Sequence, residues 1–153
     1  MKKKSSLTKI ILNRRARHDY DLGDSLIVGL ELTGAEVKAL RMGHGHLRGA
    51  YVTVKDNELW LINATITGTN AVRLVDQDQT RTRKLLAKRK EIDDLITAKQ
   101  QGLTIVPLEL ITKGRFIKLK IAAGRGKKLY DKRADLKKHE QERAAQAATK
   151  FDR

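Results

Sequence analysis

The hydrophobic positions in the first half of the chain follow the short period of β-strands. β-branched and aromatic residues are frequent from Tyr20 to Leu32 and again from Tyr51 to Ile62. Asp56-Asn57 interrupts the second run with residues that favour tight turns. We therefore predict a strand and then a hairpin, with a less regular strand near Thr65 and an exposed loop over residues 67–80.

A second hairpin is predicted further along the chain. Leu103 to Ile111 and Arg115 to Ile121 flank a Lys113-Gly114 turn. In the last of these strands, hydrophobic residues alternate with Lys118 and Lys120. This strand should therefore bury one face and present a basic one.

Two internal helices are predicted between the strands. Thr33-Gly34-Ala35-Glu36 has the form of a capping box, and Gly43 should follow the end of the helix that it begins. A second helix is predicted from about Thr82 to Gln101, with Gly102 as its C-terminal cap. The apolar face of this helix would include Leu85, Leu86, Ile92, Leu95 and Ile96, and its outer face would present Arg83, Lys84, Lys88 and Lys90. These elements favour an α+β, mainly β fold built around a barrel or a strongly curved antiparallel sheet.

The charge of the chain is concentrated in three blocks. The formal net charge is +15; residues 1–18 hold seven Lys or Arg and residues 81–90 hold six, with no acid in either block. Residues 124–153 hold ten Lys or Arg against five acids, whereas the rest of the chain is slightly acidic. A polyanion is the expected partner, and its binding should weaken as the salt concentration rises.

The end of the chain differs from the middle. Residues 124–153 have a helix-forming composition but few large hydrophobic side chains, so packing alone would hold them weakly. We expect this tail to be mobile when free and helical when a charged partner binds. The predicted organisation is a flexible basic arm over residues 1–12, one folded domain over residues 13–123 and a basic tail over residues 124–153.

Signatures of catalysis and of cofactor binding are weak. His44-Gly45-His46 lacks further ligands at metal-binding spacing, and Lys128 stands where a phosphate loop would need Ser or Thr to hold magnesium. The chain has no cysteine and no apolar run long enough for a membrane span. We expect a cytoplasmic, non-enzymatic protein with no metal, no cofactor, no small-molecule substrate and no membrane partner.

The segment from Asn13 to Tyr20 has the chemistry of an RNA contact. Arg14, Arg15 and Arg17 could each form forked hydrogen bonds with phosphates, while His18 or Tyr20 stacks on an unpaired base. Aromatic residues make up only 4% of the chain, so recognition of shape and backbone in structured RNA is favoured over stacking along a single strand. Burial of Tyr20 in the core and binding of DNA stay open alternatives. A structural ribosomal protein and an RNA-processing enzyme are the competing functions.

Five segments, in order along the chain, resemble the SmpB family of transfer-messenger RNA (tmRNA) binding proteins. They are Asn13 to Tyr20, Leu32 to Arg41, Arg81 to Leu86, Gly102 to Leu108 and Gly126 to Arg133. The resemblance implies an OB-like β-barrel with packed helices that binds the tRNA-like domain of tmRNA, also called SsrA RNA. It further implies delivery of this RNA to stalled bacterial ribosomes for trans-translation. The tail would contact small-subunit RNA at the decoding centre and in the empty messenger channel, residues 134–150 forming the channel helix.

The resemblance and the charge pattern together assign two groups of contact residues. Those expected to bind the tRNA-like domain are Asn13, Arg14, Arg17, His18, Tyr20, Arg81, Arg83, Lys84, Leu86 and Lys88. Those expected at the decoding centre are Gly126, Lys127, Lys128, Tyr130, Asp131, Lys132 and Arg133. The chain departs from the family pattern at Ile27, where a glutamate is frequent, at Gln79, where a proline is frequent, and within residues 44–50.

Overall fold

The structure is a computed structural model that describes residues 10–69 and 72–151. Residues 1–9, most of the predicted N-terminal arm, lie outside the described residues. The strands are β1 (Ile11–Leu12), β2 (Tyr20–Leu30), β3 (Gly45–His46), β4 (Tyr51–Lys55), β5 (Glu58–Ile62), β6 (Thr65–Ile66), β7 (Arg83–Leu86), β8 (Thr104–Ile111) and β9 (Lys118–Gly126). The helices are α1 (Ala16–Asp19), α2 (Gly34–Arg41), α3 (Asp76–Gln79), α4 (Arg89–Gln100) and α5 (Leu129–Phe151).

Seven strands form one antiparallel sheet in the order β1-β8-β4-β5-β7-β2-β9. β8 pairs with β9 as well as with β4. Followed from one paired strand to the next, the sheet runs from β8 through β4, β5, β7, β2 and β9 and back to β8. β3 and β6 form a separate two-stranded sheet. The prediction of a mainly β fold with a few helices is confirmed.

Both predicted hairpins are present. β4 and β5 pair from Tyr51↔Ile62 to Lys55↔Glu58, and Asp56 and Asn57 at the turn have φ of 53° and 59°. Positive φ at both central residues matches the twist of the two strands and explains why Asp and Asn stand there. In the second hairpin, β8 pairs with β9, and the predicted alternation holds because Leu119 and Ile121 are buried while Lys118 is exposed.

The first predicted helix is confirmed with its cap. The Glu36 backbone N–H donates to Thr33 Oγ1 at 3.3 Å, and Glu36 Oε1 accepts from the Thr33 backbone N–H at 3.1 Å. These two bonds satisfy donors that the first turn of a helix leaves without partners. α2 ends at Arg41, and Gly43 follows with a φ of 84°.

The prediction that a helix begins near Thr82 is wrong. Residues Arg83–Leu86 form β7, which pairs with β5 and β2, and α4 begins only at Arg89. The alternation of a strand decides burial here, so Leu85 is fully buried while Leu86 is 52% exposed. Within the predicted loop 67–80, the short helix α3 forms at Asp76–Gln79.

The folded body extends beyond both predicted boundaries. Ile11 and Leu12 pair with β8, and β9 continues to Gly126, which lies opposite Tyr20. Gly124 lies opposite Leu22 of β2 and also opposite a residue of β8. A Cβ at position 124 would come within 2.5 Å of the Asp21 carbonyl oxygen. The close approach of β2 to β9 at this position therefore requires glycine. Residues 124–126, which were predicted to begin the tail, therefore belong to a paired strand of the folded body.

The core is one apolar cluster inside the sheet, covered by α2 and α4. Its fully buried members include Leu40, Leu47, Leu59, Leu61, Leu85, Ile105, Leu119 and Ile121. Among the residues that the structure describes, none of the helices combines the length and the hydropathy that a membrane span requires.

Candidate RNA interface

Asn13 fixes the arginine-rich segment to the sheet. Its Nδ2 donates to the Pro107 carbonyl at 2.8 Å, and its backbone N–H donates to the Leu108 carbonyl at 2.8 Å. Ala16 in the single turn of α1 is buried. Because both anchors turn inward, the neighbouring arginines are left on the surface, and Arg14, Arg15 and Arg17 are exposed.

Two adjoining cavities lie between this segment and strands β2, β8 and β9. One has a volume of about 310 Å³ and the other about 210 Å³, and both are lined by Arg17, Leu108 and Lys120. We call the combined space the basic groove and define it by its cationic and aromatic lining residues, Arg14, Arg17, Tyr20, Lys120 and Lys127. Asp21 and Glu109 also line it. Because the cationic residues outnumber these two acids, the groove carries a net positive charge.

Lys120 is a groove residue that sequence reasoning did not assign. The alternating pattern of β9 placed it on a basic face, but position in a strand does not reveal which loops lie beside that face. Tyr20 is only partly exposed and lines the groove, which favours the surface interpretation of this ring over a core position.

The beginning of the tail is attached to the arginine-rich segment. The Lys127 backbone N–H donates to the Asp19 carbonyl at 2.8 Å, and Lys127 Nζ donates to the Arg17 carbonyl at 3.0 Å. Lys127 Nζ also forms an ion pair with Asp135, and Lys132 Nζ lies 3.3 Å from Asp19 Oδ1. The two groups of contact residues predicted for separate RNA targets therefore meet at α1.

These contacts change the electrostatics of two carboxylates. His18 Nδ1 lies 2.9 Å from Asp19 Oδ1, and this hydrogen bond together with Lys132 holds the pKa of Asp19 below its usual range. The hydrogen bond from Lys127 likewise lowers the pKa of Asp135. Both carboxylates stay ionised at neutral pH and offset part of the charge of the lysines that they contact.

Among the other predicted tail residues, Gly126, Lys128 and Arg133 are exposed. The backbone of Tyr130 and Asp131 belongs to α5, but their side chains lie outside what the structure describes.

Arg83 does not lie on an outer helix face, so that prediction is wrong. Its side chain is completely buried in β7 and forms an ion pair with Glu36. Its remaining N–H groups donate to the carbonyl oxygens of Ala64 at 2.8 Å, Asp78 at 3.0 Å, Gln79 at 3.1 Å and Arg81 at 3.1 Å. Arg83 therefore joins α2 to the segments around β6 and α3, and it is inaccessible to RNA in this conformation.

Arg81 belongs to the same network. Its Nε donates to Glu36 Oε1 at 3.0 Å, and its Nη2 donates to the same oxygen. Burial raises the pKa of Glu36, but the hydrogen bonds from Arg81 and Arg83 outweigh it, so the net pKa lies below the usual range. Arg81 and Arg83 of the second basic block therefore stabilise the fold through Glu36.

The other predicted residues of this block face solvent. Lys84 Nζ lies 3.5 Å from Glu58 Oε2, Leu86 is 52% exposed and Lys88 is exposed at the start of α4. Leu86 lies opposite Gly29 of β2, and Ile27, on the same face of β2, lies opposite Lys120. One outer face of the sheet therefore carries Lys84, Leu86 and Ile27 and continues to Lys120 of the basic groove. Ile27 is 52% exposed and adds an apolar group to this face.

Within the part of the chain that the structure describes, no group of three or more His, Cys, Asp or Glu residues could hold a metal ion. His46 is exposed in β3, and His44 contributes its backbone carbonyl to Thr67.

The fold and this surface define a small, basic, mainly antiparallel β protein in which one cationic surface joins the body to a C-terminal helix. A family model described as "SmpB protein" matches residues 10–151. The SsrA-binding protein of Trichormus variabilis is 44% identical over 153 residues, which cover 98% of this chain and 99% of that protein. The chain belongs to the SmpB family, as its five motifs predicted.

Two further similarities agree with this assignment. The SsrA-binding protein of Oleidesulfovibrio alaskensis is 44% identical over 144 residues, covering 93% of each chain. A solved structure described as "tmRNA-SmpB: a journey to the center of the bacterial ribosome" contains a chain that is 37% identical, with a TM-score of 0.65. That match covers 78% of this chain and 85% of the other.

Proposed function

We propose that this protein is an RNA-binding adaptor that binds the tRNA-like domain of tmRNA and delivers it to stalled bacterial ribosomes for trans-translation. The observation that carries the proposal is the SmpB family match over residues 10–151, with relatives named SsrA-binding proteins. The adaptor works in the cytoplasm by positioning RNA. It is not an enzyme and needs no cofactor.

The finer architecture that suits this role is an OB-like barrel. The strand pairings that return to β8 support a closed sheet, since closure leaves few strand edges unpaired. Such a body would present a rigid curved surface to a folded RNA, whose shape and phosphates are its main recognisable features.

The body would bind the tRNA-like domain through the basic groove and the neighbouring sheet face. Arg14, Arg17 and Lys120 line this groove and would pair with phosphates, and Tyr20 would offer a ring beside them. Lys84 and Lys88 extend the cationic surface, while Leu86 provides an apolar contact for a ribose or a base. Phosphate pairing of this kind makes affinity fall steeply with salt.

The tail would serve the ribosome. α5 spans 23 residues, a length of about 34 Å, and most of its described side chains are exposed. Lys128, Tyr130, Asp131, Lys132 and Arg133 would meet small-subunit RNA at the decoding centre. Residues 134–150 would then continue as a helix in the empty messenger channel.

The experiment separates these two contacts with two charge-reversed proteins. Arg17→Glu with Lys120→Glu should weaken binding to the isolated tRNA-like domain in a gel-shift assay by tenfold or more, because two phosphate contacts become repulsive. Lys128→Glu with Arg133→Glu should leave that affinity nearly unchanged and abolish peptide tagging in a reconstituted translation system. Both tail positions are exposed and lack described ion pairs, so folding should be unaffected.

Bulk tRNA and a salt series complete the assay. The wild-type protein should prefer tmRNA over bulk tRNA and lose affinity as salt rises. Failure of the wild-type protein to bind the tRNA-like domain, or equal loss of both activities in both variants, would contradict the proposal.

A further inference from the structure

Two ion pairs hold the start of α5 against the folded body. Lys132 Nζ, in the first turn of α5, lies 3.3 Å from Asp19 Oδ1 in α1. Lys127 Nζ, one residue beyond β9, pairs with the carboxylate of Asp135 in the second turn of α5. Leu136 is 49% exposed, so its packing adds little to this attachment. The position of the tail therefore depends on charge, and we call the two ion pairs the tail clasp.

Lys127 belongs to both the tail clasp and the basic groove. Its side chain lines the cavity of about 310 Å³ together with Arg17 and Lys120. Its ammonium group donates to the Arg17 carbonyl and to the Asp135 carboxylate, and the side chain is only 17% exposed. A cation that would attract a phosphate into this cavity is thus already paired with a carboxylate of the tail.

A phosphate in the cavity and the carboxylate of Asp135 compete for Lys127. Both groups are negatively charged, and two anions beside one half-buried ammonium group repel one another because little water screens them. The hydrogen bond from Lys127 lowers the pKa of Asp135, so this carboxylate is ionised at neutral pH and the repulsion is present there. Arg17 and Lys120 attract the phosphate but lie on the body. Binding of RNA in the groove therefore weakens the hold of Lys127 on the tail.

The other ion pair of the tail clasp is too weak to keep the helix docked. Lys132 and Asp135 are three positions apart on α5, so both lie on the helix face that meets the body. The pair of Lys132 with Asp19 is partly exposed, and such pairs contribute little by themselves. Once Asp135 is displaced, Lys132 is free to leave Asp19 and to contact another anion.

We infer that the tail clasp is an autoinhibitory contact, which keeps α5 docked in the free protein and opens when RNA enters the basic groove. A phosphate of the tRNA-like domain replaces Asp135 as the partner of Lys127, and the released tail then reaches small-subunit RNA. The inference rests on the proposed function and adds an order of events, with tmRNA bound first and the ribosome second. Because coupling between two binding events is reciprocal, the docked tail also lowers the affinity of the groove for RNA.

The first measurement is the affinity of the full-length protein for the isolated tRNA-like domain. Asp135→Asn removes the competing carboxylate and keeps the size of the side chain. The matched control is Glu140→Gln, which changes the net charge equally at an exposed position of the same helix. Asp135→Asn should bind this RNA about two- to fivefold more tightly than the control, the range that a partly exposed ion pair supplies. Asp135→Glu keeps the charge and should bind like the wild-type protein.

The second measurement follows the tail itself. The chain has no cysteine, so Gln100→Cys in α4 and Gln141→Cys in α5 provide two specific sites for fluorescent dyes. Both positions are exposed, and neither substitution changes the charge. Energy transfer between the dyes should change when the tRNA-like domain is added. In the free protein, Asp135→Asn should already shift the transfer efficiency toward the RNA-bound value.

Two results would overturn the inference while the proposed function stands. One is an Asp135→Asn affinity equal to or below that of the Glu140→Gln control. The other is energy transfer that stays constant in otherwise wild-type protein when the RNA binds. Failure of the wild-type protein to bind the tRNA-like domain would instead refute the proposed function, and the inference with it, so the two failures are distinguishable.

Discussion

Replacement of Arg83 by Met tests whether this arginine stabilises the fold or binds RNA. Its guanidinium is fully buried and donates to Glu36 and to the carbonyl oxygens of Ala64, Asp78 and Gln79. Methionine fills similar space but donates no hydrogen bond. We therefore expect Arg83→Met to lower the free energy of unfolding strongly.

The magnitude follows from what the substitution leaves behind. Glu36 stays buried, with Arg81 as its one remaining charged partner among the contacts described. Removal of one member of a buried ion pair costs about 3–5 kcal/mol, and each buried carbonyl left without a donor adds to this cost. With a urea m-value of about 2 kcal/mol/M, the unfolding midpoint should fall by about 2 M.

The assay is urea unfolding followed by Trp60 fluorescence, together with binding of the tRNA-like domain. The matched control is Lys84→Met in the same strand, at a side chain that is 35% exposed and lies 3.5 Å from Glu58. An exposed ion pair contributes about 0–1 kcal/mol, so this midpoint should shift by less than about 0.5 M. RNA affinity should fall in the Lys84 variant, because that lysine belongs to the proposed RNA-binding face.

One pattern of results would refute this reasoning. If Arg83→Met unfolds at the wild-type urea concentration but binds RNA more weakly, then Arg83 contacts RNA directly and the buried network is not the reason that arginine stands there.

Two further predictions follow from the same structure. Because the pKa of folded Glu36 lies below its unfolded value, its ion pairs stabilise the fold above the unfolded pKa, and this contribution is lost as pH falls through the folded pKa. The urea midpoint of wild-type protein should therefore drop between pH 7 and about pH 3 by more than that of Glu36→Gln, and parallel drops would contradict this account. Gly124→Ala should destabilise the protein by about 2 kcal/mol or more, since the new methyl group would meet a β2 carbonyl at 2.5 Å. Gly126→Ala, with no atom within 4 Å of its new methyl group, should unfold near the wild-type midpoint, and equal thermal midpoints for both variants would exclude the steric explanation.

Much of the fold could be predicted from local sequence patterns. Asp56-Asn57 predicted the turn of the first hairpin, and Thr33 with Glu36 predicted the cap of α2, because these effects depend on residues within one turn of the chain. The five motifs predicted the family as well. For the candidate site the sequence predicted surface positions, and Arg14 and Arg17 are exposed while Lys84 is half-buried. Their contacts with RNA stay a prediction.

The segment from Thr82 to Leu86 shows why other elements were not predictable. A short run that contains Leu85 and Leu86 fits a helix or a strand equally well by its own pattern. The choice depends on pairing with β5 and β2, whose residues are remote in the chain. The same pairing turns Arg83 inward, toward a carboxylate 47 positions earlier.

Local patterns in the chain were enough to establish where the positive charge lies, how the first hairpin turns, how α2 is capped and which family the chain belongs to. Each of these depends on neighbouring residues or on ordered motifs. The cations that stay available for RNA were not predictable in this way, because the partners of each cation come from distant segments that folding brings together. Folding buried Arg83 against Glu36 and set Lys132 beside Asp19.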